Sequence, residues 1–390
     1  MFAKMRKRRW WAFWTVWMCV EGVYVFRHRD RLKVYNEPSA HLPRNTDVQA
    51  LMERFLRLQR VISLDDFLRG WFHGSSIDVI LRDNVEEFMA YAFFCKPLTQ
   101  LCAMDRTQVA YFVTRCEEAW TTSFSKGKNK NITFMAHLWE PLRVHHKPLV
   151  VHLFSEVAGA ANRIWLLMLG FRLQRYKGRV YWTWSPKCCT GAVAGLPIIF
   201  LHGVGIGLGP YFFWVLDLLR TYRNHTLILV EYNHISLRLH SSKILFDEAA
   251  QDIVQSLILI DAVCLLTCWP GLLQNFIYAL PSCQLNGKGC LDVLRYICSR
   301  DLMVAEAFCR DFSWSALMLW PEEMPPDTVI CLSGADRLVP TDLILLHLKA
   351  AKSSAKIVEN QAASHGTFLL PQCSNWRRDI IGGMMQVVAP

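Results

Sequence analysis

The second half of the sequence predicts an α/β fold, and the first half predicts a mostly helical region in front of it. After residue 195, short apolar runs alternate with amphipathic stretches, which is typical of parallel strands joined by helices. Residues 37–195 instead repeat apolar positions at helical spacing and contain few strand-like runs. A chain of 390 residues with 52% apolar and 19% charged residues can bury a sizeable core. Disordered and fibrous classes are therefore excluded.

The first element, residues 1–36, is predicted to be a membrane anchor. It holds nine Lys or Arg and two acidic residues, so it carries +7 of the net charge of +10. Residues 10–26 are apolar at 14 of 17 positions, and a helix of that length spans about 25 Å of the roughly 30 Å of bilayer hydrocarbon. A retained single-pass anchor in a membrane lipid bilayer is the favoured interpretation, with an interfacial helix and a buried soluble helix as alternatives. Both flanks are basic, so the orientation of the anchor and the use of the sequons at Asn131 and Asn224 stay open.

Charge and cysteine content exclude other classes of partner. Outside the N-terminal segment the net charge is only +3, and nucleic-acid binding would need basic residues interleaved with aromatic ones through the folded part, so no nucleic acid is expected. The 14 cysteines are too sparse for a disulfide scaffold and form no Cys-x-x-Cys pair. No metal and no cofactor is therefore expected. The vicinal Cys188 and Cys189, and Cys264 with Cys268 one helical turn later, are interpreted as buried or idle thiols.

The helical region, residues 37–195, is predicted to contain two groups of helices separated by the polar stretch 125–131. Residues 148–171 are apolar enough to suggest a second membrane span. Four polar residues interrupt this stretch: His152, Glu156, Asn162 and Arg163. A buried or surface-lying helix is therefore the favoured interpretation.

The α/β half, residues 196–386, is predicted to be a mostly parallel sheet with helices on both faces. Its strands are predicted at 197–201, 226–231, 257–261, 328–332 and 355–359, and one more short strand is predicted at 180–184, at the end of the helical region. Helices at 210–222, 244–256 and 341–351 have the spacing of right-handed crossovers. Residues 264–326 interrupt this rhythm with tryptophans and prolines. They are predicted to form a lid at the carboxyl edge of the sheet, where ligands bind.

Residues 196–209 read LPIIFLHGVGIGLG, an apolar strand followed by a glycine-rich turn and a helix. A dinucleotide site would use such a turn, but these glycines fall at every second position and do not form G-x-G-x-x-G. A dinucleotide site also places an acidic residue at the end of the second strand. Glu231 ends the next predicted strand here, but an aromatic and histidine-bearing turn follows it, which does not match that pattern. Dinucleotide binding is therefore disfavoured.

Three strand ends carry polar or glycine residues in a defined order. They are His202-Gly203, then Asp336 in the run LSGADRLVP, then His365 in the run SHGTF. In this order they resemble the α/β-hydrolase superfamily, of the AB hydrolase-1 type. The resemblance implies an oxyanion hole at Gly203 and Val204, a triad acid at Asp336 and a triad base at His365. It covers residues 196–386, about half of the chain, and the anchored helical half is similar to a membrane-bound subgroup. A hydrophobic ester or lipid is the implied ligand.

One part of that family's machinery, the nucleophile elbow G-x-S-x-G, is absent. Its glycines let a strand turn sharply into a helix and expose the Ser hydroxyl. The nearest matches, at 74–78 and 123–127, each lack one glycine and lie in the helical half. Only 25 residues separate Glu231 from Leu257, whereas a further strand, elbow and helix would need about 25 to 30 more.

The sheet is expected to close over this gap, with residues 257–261 in the vacant central position. Asp261 and Cys264 would then lie near the place of the nucleophile. A plain strand end is favoured there over a replacement nucleophile, because no glycines accompany these residues.

Three functions follow from these patterns. The first is a membrane-anchored relative of serine ester and lipid hydrolases that is catalytically impaired because its nucleophile is missing. The second is a truncated or alternatively spliced form of an active ester hydrolase. The third is a non-catalytic binding or interaction protein that uses its helical half.

Overall fold

The computed structural model describes residues 2–37, 47–176, 179–186, 195–239, 255–281 and 287–388. The first half is mostly helical, as predicted. Its helices are α1 (Phe2–Tyr35), α2 (Val48–Leu56), α3 (Leu64–Trp71), α4 (Arg82–Phe94), α5 (Ala103–Trp120) and α6 (Leu149–Met168). Local sequence signals account for their ends; for example, Ser63 caps α3 by accepting a hydrogen bond from the Asp66 N–H at 3.2 Å.

Helix α1 spans nearly all of the predicted anchor segment 1–36, and its second half is docked on the protein. The Glu21 carboxylate accepts a hydrogen bond from the Leu149 N–H at 3.0 Å. It thereby caps the start of α6, where Pro148 has no side-chain acceptor. Tyr24 is hydrogen bonded to His152 of α6 at 2.8 Å. Among the described residues, no helix combines the length and the apolar character needed to cross a bilayer. The anchor at 1–36, with its apolar run at 10–26, stays a prediction.

The described strands form two separate sheets. They are β1 (Arg172–Tyr176), β2 (Arg179–Trp184), β3 (Gly195–Leu201), β4 (His225–Glu231), β5 (Ser256–Ile260), β6 (Asp327–Ser333) and β7 (Lys356–Asn360). The first sheet has the order β1-β2-β4-β3, with β3 and β4 parallel and the other pairs antiparallel. The second has the order β5-β6-β7 and is entirely parallel. All six predicted strands are present within two residues. Strand β1 was not predicted, because its exposed sequence RLQRY contains no apolar run.

The predicted closure of the sheet over the missing unit is wrong. Strand β5 pairs with β6, with Leu257 opposite Thr328, and no described strand pairs with its other edge. In the part of the chain that the structure covers, β3 likewise pairs with β4 alone. Hydrogen bonds of Asp261 with Ser333 hold the end of β5 against β6. Ser256 belongs to β5 and not to the predicted helix 244–256, of which residues 244–254 lie outside the described residues.

A layer of helices holds the two sheets together. The α/β half contains α7 (Phe212–Thr221), α12 (Thr341–Ala350) and α13 (Ser374–Met384). Trp214 of α7 packs against Phe368, with ring centroids 5.6 Å apart, and Asp217 accepts a hydrogen bond from Arg377 Nε of α13 at 2.8 Å. The same apolar core includes Leu229 of β4 and residues of β6. The sheets are therefore joined through shared packing.

The predicted lid, residues 264–326, packs against the helical half. Its helices are α8 (Gly271–Leu273), α9 (Gly287–Ser299), α10 (Leu302–Glu306) and α11 (Trp314–Leu317). Trp314 packs against Phe93 of α4 at 5.2 Å between ring centroids, and Trp71 Nε1 donates to the Cys268 carbonyl at 3.0 Å. The lid and the helical half share one apolar core.

Candidate active site

Asp336 and His365 lie together at the carboxyl end of the three-stranded sheet. Asp336 follows β6 by three residues and His365 follows β7 by five. Nδ1 of His365 donates to Oδ2 of Asp336 at 2.7 Å. The Asp336 side chain is completely buried, whereas the His365 side chain is 39% exposed. Because Nδ1 is occupied, Nε2 is the ring atom left to exchange a proton with a ligand.

Close contact between the loops after β6 and β7 brings this pair together. The Gly334 N–H donates to the Asn360 carbonyl at 2.9 Å. Only glycine fits at this position, because a Cβ atom would lie 2.6 Å from the Gln361 Cα atom. Oδ1 of Asp336 accepts a hydrogen bond from the Leu338 N–H at 2.7 Å. The acid is therefore oriented by its own loop.

A second carboxylate, that of Asp261, connects these loops to β5. Its Oδ1 accepts the Ser333 N–H at 2.9 Å, and its Oδ2 accepts the Ser333 hydroxyl and the Gly366 N–H at 3.0 Å each. Asp261 thus connects the end of β6 with the residue beside His365. Its backbone φ is +47°, in the left-handed region that residues other than glycine adopt infrequently. The sequence predicts a plain strand end at this position, whereas the structure has a buried carboxylate that links the loops after β5, β6 and β7. We call this set of hydrogen bonds the Asp261 brace.

The carboxylates around His365 raise its pKa. Burial lowers the pKa of His365, but the hydrogen bond and charge of Asp336 and the charge of Asp261 outweigh burial, so the pKa lies above its ordinary value. Burial raises the pKa of Asp261, against the effects of His365 and the Gly366 N–H. A histidine stabilised in its charged form can accept a proton during a reaction.

The predicted oxyanion turn is organised by His202. Its buried ring donates from Nδ1 to the Gly203 carbonyl at 2.8 Å and accepts the Tyr232 N–H at Nε2 at 2.9 Å. Burial lowers the pKa of His202 to about 4, so the ring is neutral at pH 7. The Gly203 N–H donates to the Tyr211 hydroxyl at 3.0 Å, whereas the Val204 N–H has no hydrogen-bond partner among the described residues. Within the described ranges, the Val204 amide is therefore the one of the two predicted amides left to bind an oxyanion. These contacts belong to loops of the four-stranded sheet.

No nucleophile accompanies His365 among the described residues, where Asp336 is its only hydrogen-bond partner. Burial raises the pKa of Cys264 to about 11, so its thiol is protonated and weakly nucleophilic at pH 7. Ser76, at the Ser position of one incomplete elbow motif, donates to Asp78 Oδ2 at 3.2 Å in the helical half. Cys264 and Cys268 are free thiols, and Cys188 and Cys189 lie outside the described residues.

The cluster of Asp261, Asp336 and His365 also has the spacing of a metal site. One ligand atom of each lies within 4.8 Å of the others. The carboxylate oxygens already accept hydrogen bonds from Ser333, Gly366 and His365. Hydrogen bonding accounts for the arrangement, and a metal would have to displace it.

Two surface clefts lie in the helical half. One, of about 440 Å³, includes Phe72 and Lys128 in its wall, and the other, of about 760 Å³, is lined by Thr114 and neighbouring residues. Neither Asp336 nor His365 lines them.

No protein-family model and no curated protein matches the sequence. The chain is similar to three solved structures. A mutant of the meta-cleavage product hydrolase CumD has 16% identity and a TM-score of 0.37, with 55% of this chain and 98% of that chain covered. A membrane phospholipase A, described as a bacterial virulence factor, has 13% identity and a TM-score of 0.35, covering 60% and 94%. Esterase 2 of Thermogutta terrifontis, phosphoramylated by tabun, has 11% identity and a TM-score of 0.32, covering 57% and 97%. At these TM-scores the similarities lend no weight to a function, which must rest on the geometry of this chain.

Proposed function

We propose that this chain is an α/β-hydrolase-type protein that keeps the acid and base of a serine-hydrolase triad without the nucleophile. The observation that carries the proposal is the 2.7 Å hydrogen bond between Asp336 and His365 at neighbouring strand ends of one parallel sheet. In a triad the acid holds the imidazole in one tautomer, and the base moves the proton of the nucleophile. Without a nucleophile for His365 to activate, the protein binds a hydrophobic ester or lipid but does not cleave it through a covalent acyl-enzyme intermediate.

Binding at this pair can be tested with a ligand that contains no scissile bond. A fluorescent long-chain alkyl ether mimics an ester and is expected to bind the purified chain and to shift the imidazole NMR signals of His365. His365→Gln, which retains a hydrogen-bonding side chain, is expected to weaken binding several-fold. Binding that leaves the His365 signals unchanged would place the ligand elsewhere and contradict the proposal.

Attachment to a membrane through α1 is part of the proposal. Trp10, Trp11 and Trp14 are more than half exposed in the first half of α1. Tryptophan beside Lys and Arg is typical of segments at the membrane interface. The protein is expected to sediment with membranes and to resist extraction by carbonate. Recovery in the carbonate supernatant would leave only a peripheral, interfacial contact.

A longer, active form of the protein is a second candidate, favoured by the exposure of β3. Ile199 and Leu201 of this strand are 59% and 56% exposed, although they belong to a parallel strand. Parallel strands are ordinarily covered on both faces, so a strand and helix beside β3 would bury this surface. In that form His365 would accept the proton of the elbow Ser, and the Val204 N–H would stabilise the oxyanion.

A further inference from the structure

Helix α6 presents its apolar side to solvent and its polar side to the protein. The buried polar residues of α6 are His152, Ser155 and Asn162, with Gly159 between them; Leu166 is the buried apolar residue. The large apolar residues Val150, Leu153, Phe154, Val157, Ile164 and Leu167 are between 52% and 67% exposed and recur at spacings of three and four along much of the helix. A surface helix in water ordinarily shows the reverse arrangement.

The contacts of the inner side fix this orientation. His152 accepts the Tyr24 hydroxyl at Nε2 and faces the Leu237 carbonyl at Nδ1. Arg238 lies so close to the helix that a Cβ atom on Gly159 would be 2.2 Å from its guanidinium. Arg238 is in turn paired with the buried Glu231 at 2.6 Å. Rotating α6 to bury its apolar side would break these buried polar contacts, so the apolar side stays outward.

We propose that the outward side of α6 rests in the interfacial layer of a lipid bilayer whose surface is negatively charged. This inference rests on the membrane attachment proposed for α1 and extends it to a second helix. A helix of 20 residues lays an apolar strip about 30 Å long on the membrane surface. Such a strip is unfavourable in water and favourable against acyl chains.

The surroundings of α6 favour an anionic bilayer as the occupant. Strand β1, which follows α6 after three residues, exposes Arg172 and Arg175. Helix α1, which contacts α6 through Tyr24, lies in the segment that carries seven of the ten net positive charges of the chain. Basic residues beside an apolar strip attract anionic headgroups. The exposed tryptophans of α1 are suited to the same interface.

Vesicle flotation with three variants of the full chain tests this inference. The first is the α6 variant Leu153→Gln, Phe154→Gln, Val157→Gln. The second is the α1 variant Trp10→Gln, Trp11→Gln, Trp14→Gln. The third is the matched control Met104→Gln, Tyr111→Gln, which changes exposed apolar residues of α5. Each is floated with vesicles of phosphatidylcholine and with an equimolar mixture of phosphatidylcholine and phosphatidylserine.

The parent chain is expected to float with the mixed vesicles and more weakly with phosphatidylcholine. The α6 variant should lose affinity about tenfold or more while the α5 control is unchanged, because three apolar side chains no longer enter the interface. The far-ultraviolet circular dichroism and the unfolding midpoint should match those of the parent, since the changed side chains are exposed. If the triple variant does not fold, Phe154→Gln alone is expected to weaken flotation about threefold.

Three outcomes would overturn the role of α6. Parent-like flotation of the α6 variant, with flotation lost in the α1 variant, would restrict membrane contact to α1. Unchanged flotation with conversion of a dimer to a monomer in sedimentation velocity would make the strip an interface between copies. Failure of the parent chain to float with either vesicle would remove the proposed membrane attachment as well.

Discussion

Strands β3 and β6 have similar apolar sequences and opposite surroundings. Ile330 of β6 is completely buried between β5 and β7, whereas Ile199 of β3 is 59% exposed. The loop after β6 carries the buried Asp336, paired with His365, while the loop after β3 carries only a turn held by His202 and Tyr211. Under the proposed loss of one strand and helix beside β3, both features have one explanation: the exposed face of β3 and an acid–base pair that no nucleophile accompanies among the described residues.

Supplying the missing unit should produce the largest change. A strand, a G-x-S-x-G elbow and a helix inserted immediately before Ser256 should bury the face of β3 and place a Ser near His365. Because complete triads exceed triad-deficient enzymes by large factors, ester hydrolysis should rise on the order of 10³-fold or more, with labelling by a fluorophosphonate. The same insert with Ala in place of the elbow Ser, or combined with His365→Ala, should show neither gain. Equal activity of the insert that carries Ala would contradict the proposal that a strand, a nucleophile elbow and a helix are missing beside β3.

Truncating one side chain in each strand tests the contrast directly. Ile330→Ala removes a completely buried side chain and should lower the free energy of unfolding by about 2–5 kcal/mol. Ile199→Ala, at an exposed site, should change it by less than about 0.5 kcal/mol. Chemical denaturation of both variants measures the difference. A similar loss of unfolding free energy in both variants would mean that the Ile199 side chain of β3 is buried in solution.

Removing the Asp261 brace should affect both stability and His365. Asp261→Ala leaves the buried Ser333 N–H and the Gly366 N–H without their acceptor and should cost about 2–4 kcal/mol. Asp261→Asn keeps an acceptor oxygen but removes the charge, so it should lower the pKa of His365 at a smaller cost in stability. Imidazole NMR titration measures this pKa. An unchanged titration in Asp261→Asn would limit Asp261 to a structural role.

The two strand-end histidines should respond to pH in opposite directions. His202 has a pKa of about 4 in the folded chain, below the unfolded value near 6.5, so it should cost up to about 3 kcal/mol of stability as the pH falls from 6.5 to 4. His365 has a raised pKa, so its contribution is present below pH 6.5 and is lost as the pH rises through its folded value. His202→Asn should therefore flatten the acid side of the stability profile, and His365→Gln the region above 6.5. If the free energy of unfolding depends on pH equally in the parent and in both variants, the lowered pKa of His202 and the raised pKa of His365 are both contradicted.

Six of the seven described strands could be predicted because each is an apolar run between turns, and Asp336 and His365 because they follow such runs in a familiar order. The split of the sheet could not, because strand pairing depends on partners far apart in sequence. The role of Asp261 was missed for a related reason: it depends on a left-handed backbone and on the approach of two loops.

Helix α6 illustrates the same limit. The spacing of its polar residues, His152, Ser155 and Asn162, indicates one polar side of a helix. Which side faces inward depends on Arg238 and Tyr24, which lie elsewhere in the chain. The Tyr211 hydroxyl that engages the Gly203 amide had no sequence signal beyond its position at the start of a helix.

The account is tested most directly by activity-based labelling of the unmodified chain. The purified protein should show no labelling by a fluorophosphonate and negligible turnover of a short-chain p-nitrophenyl ester, because no nucleophile accompanies His365 in the described part of the chain. Robust ester cleavage that disappears in Asp261→Asn or Cys264→Ala would contradict this account and identify a replacement nucleophile at the end of β5.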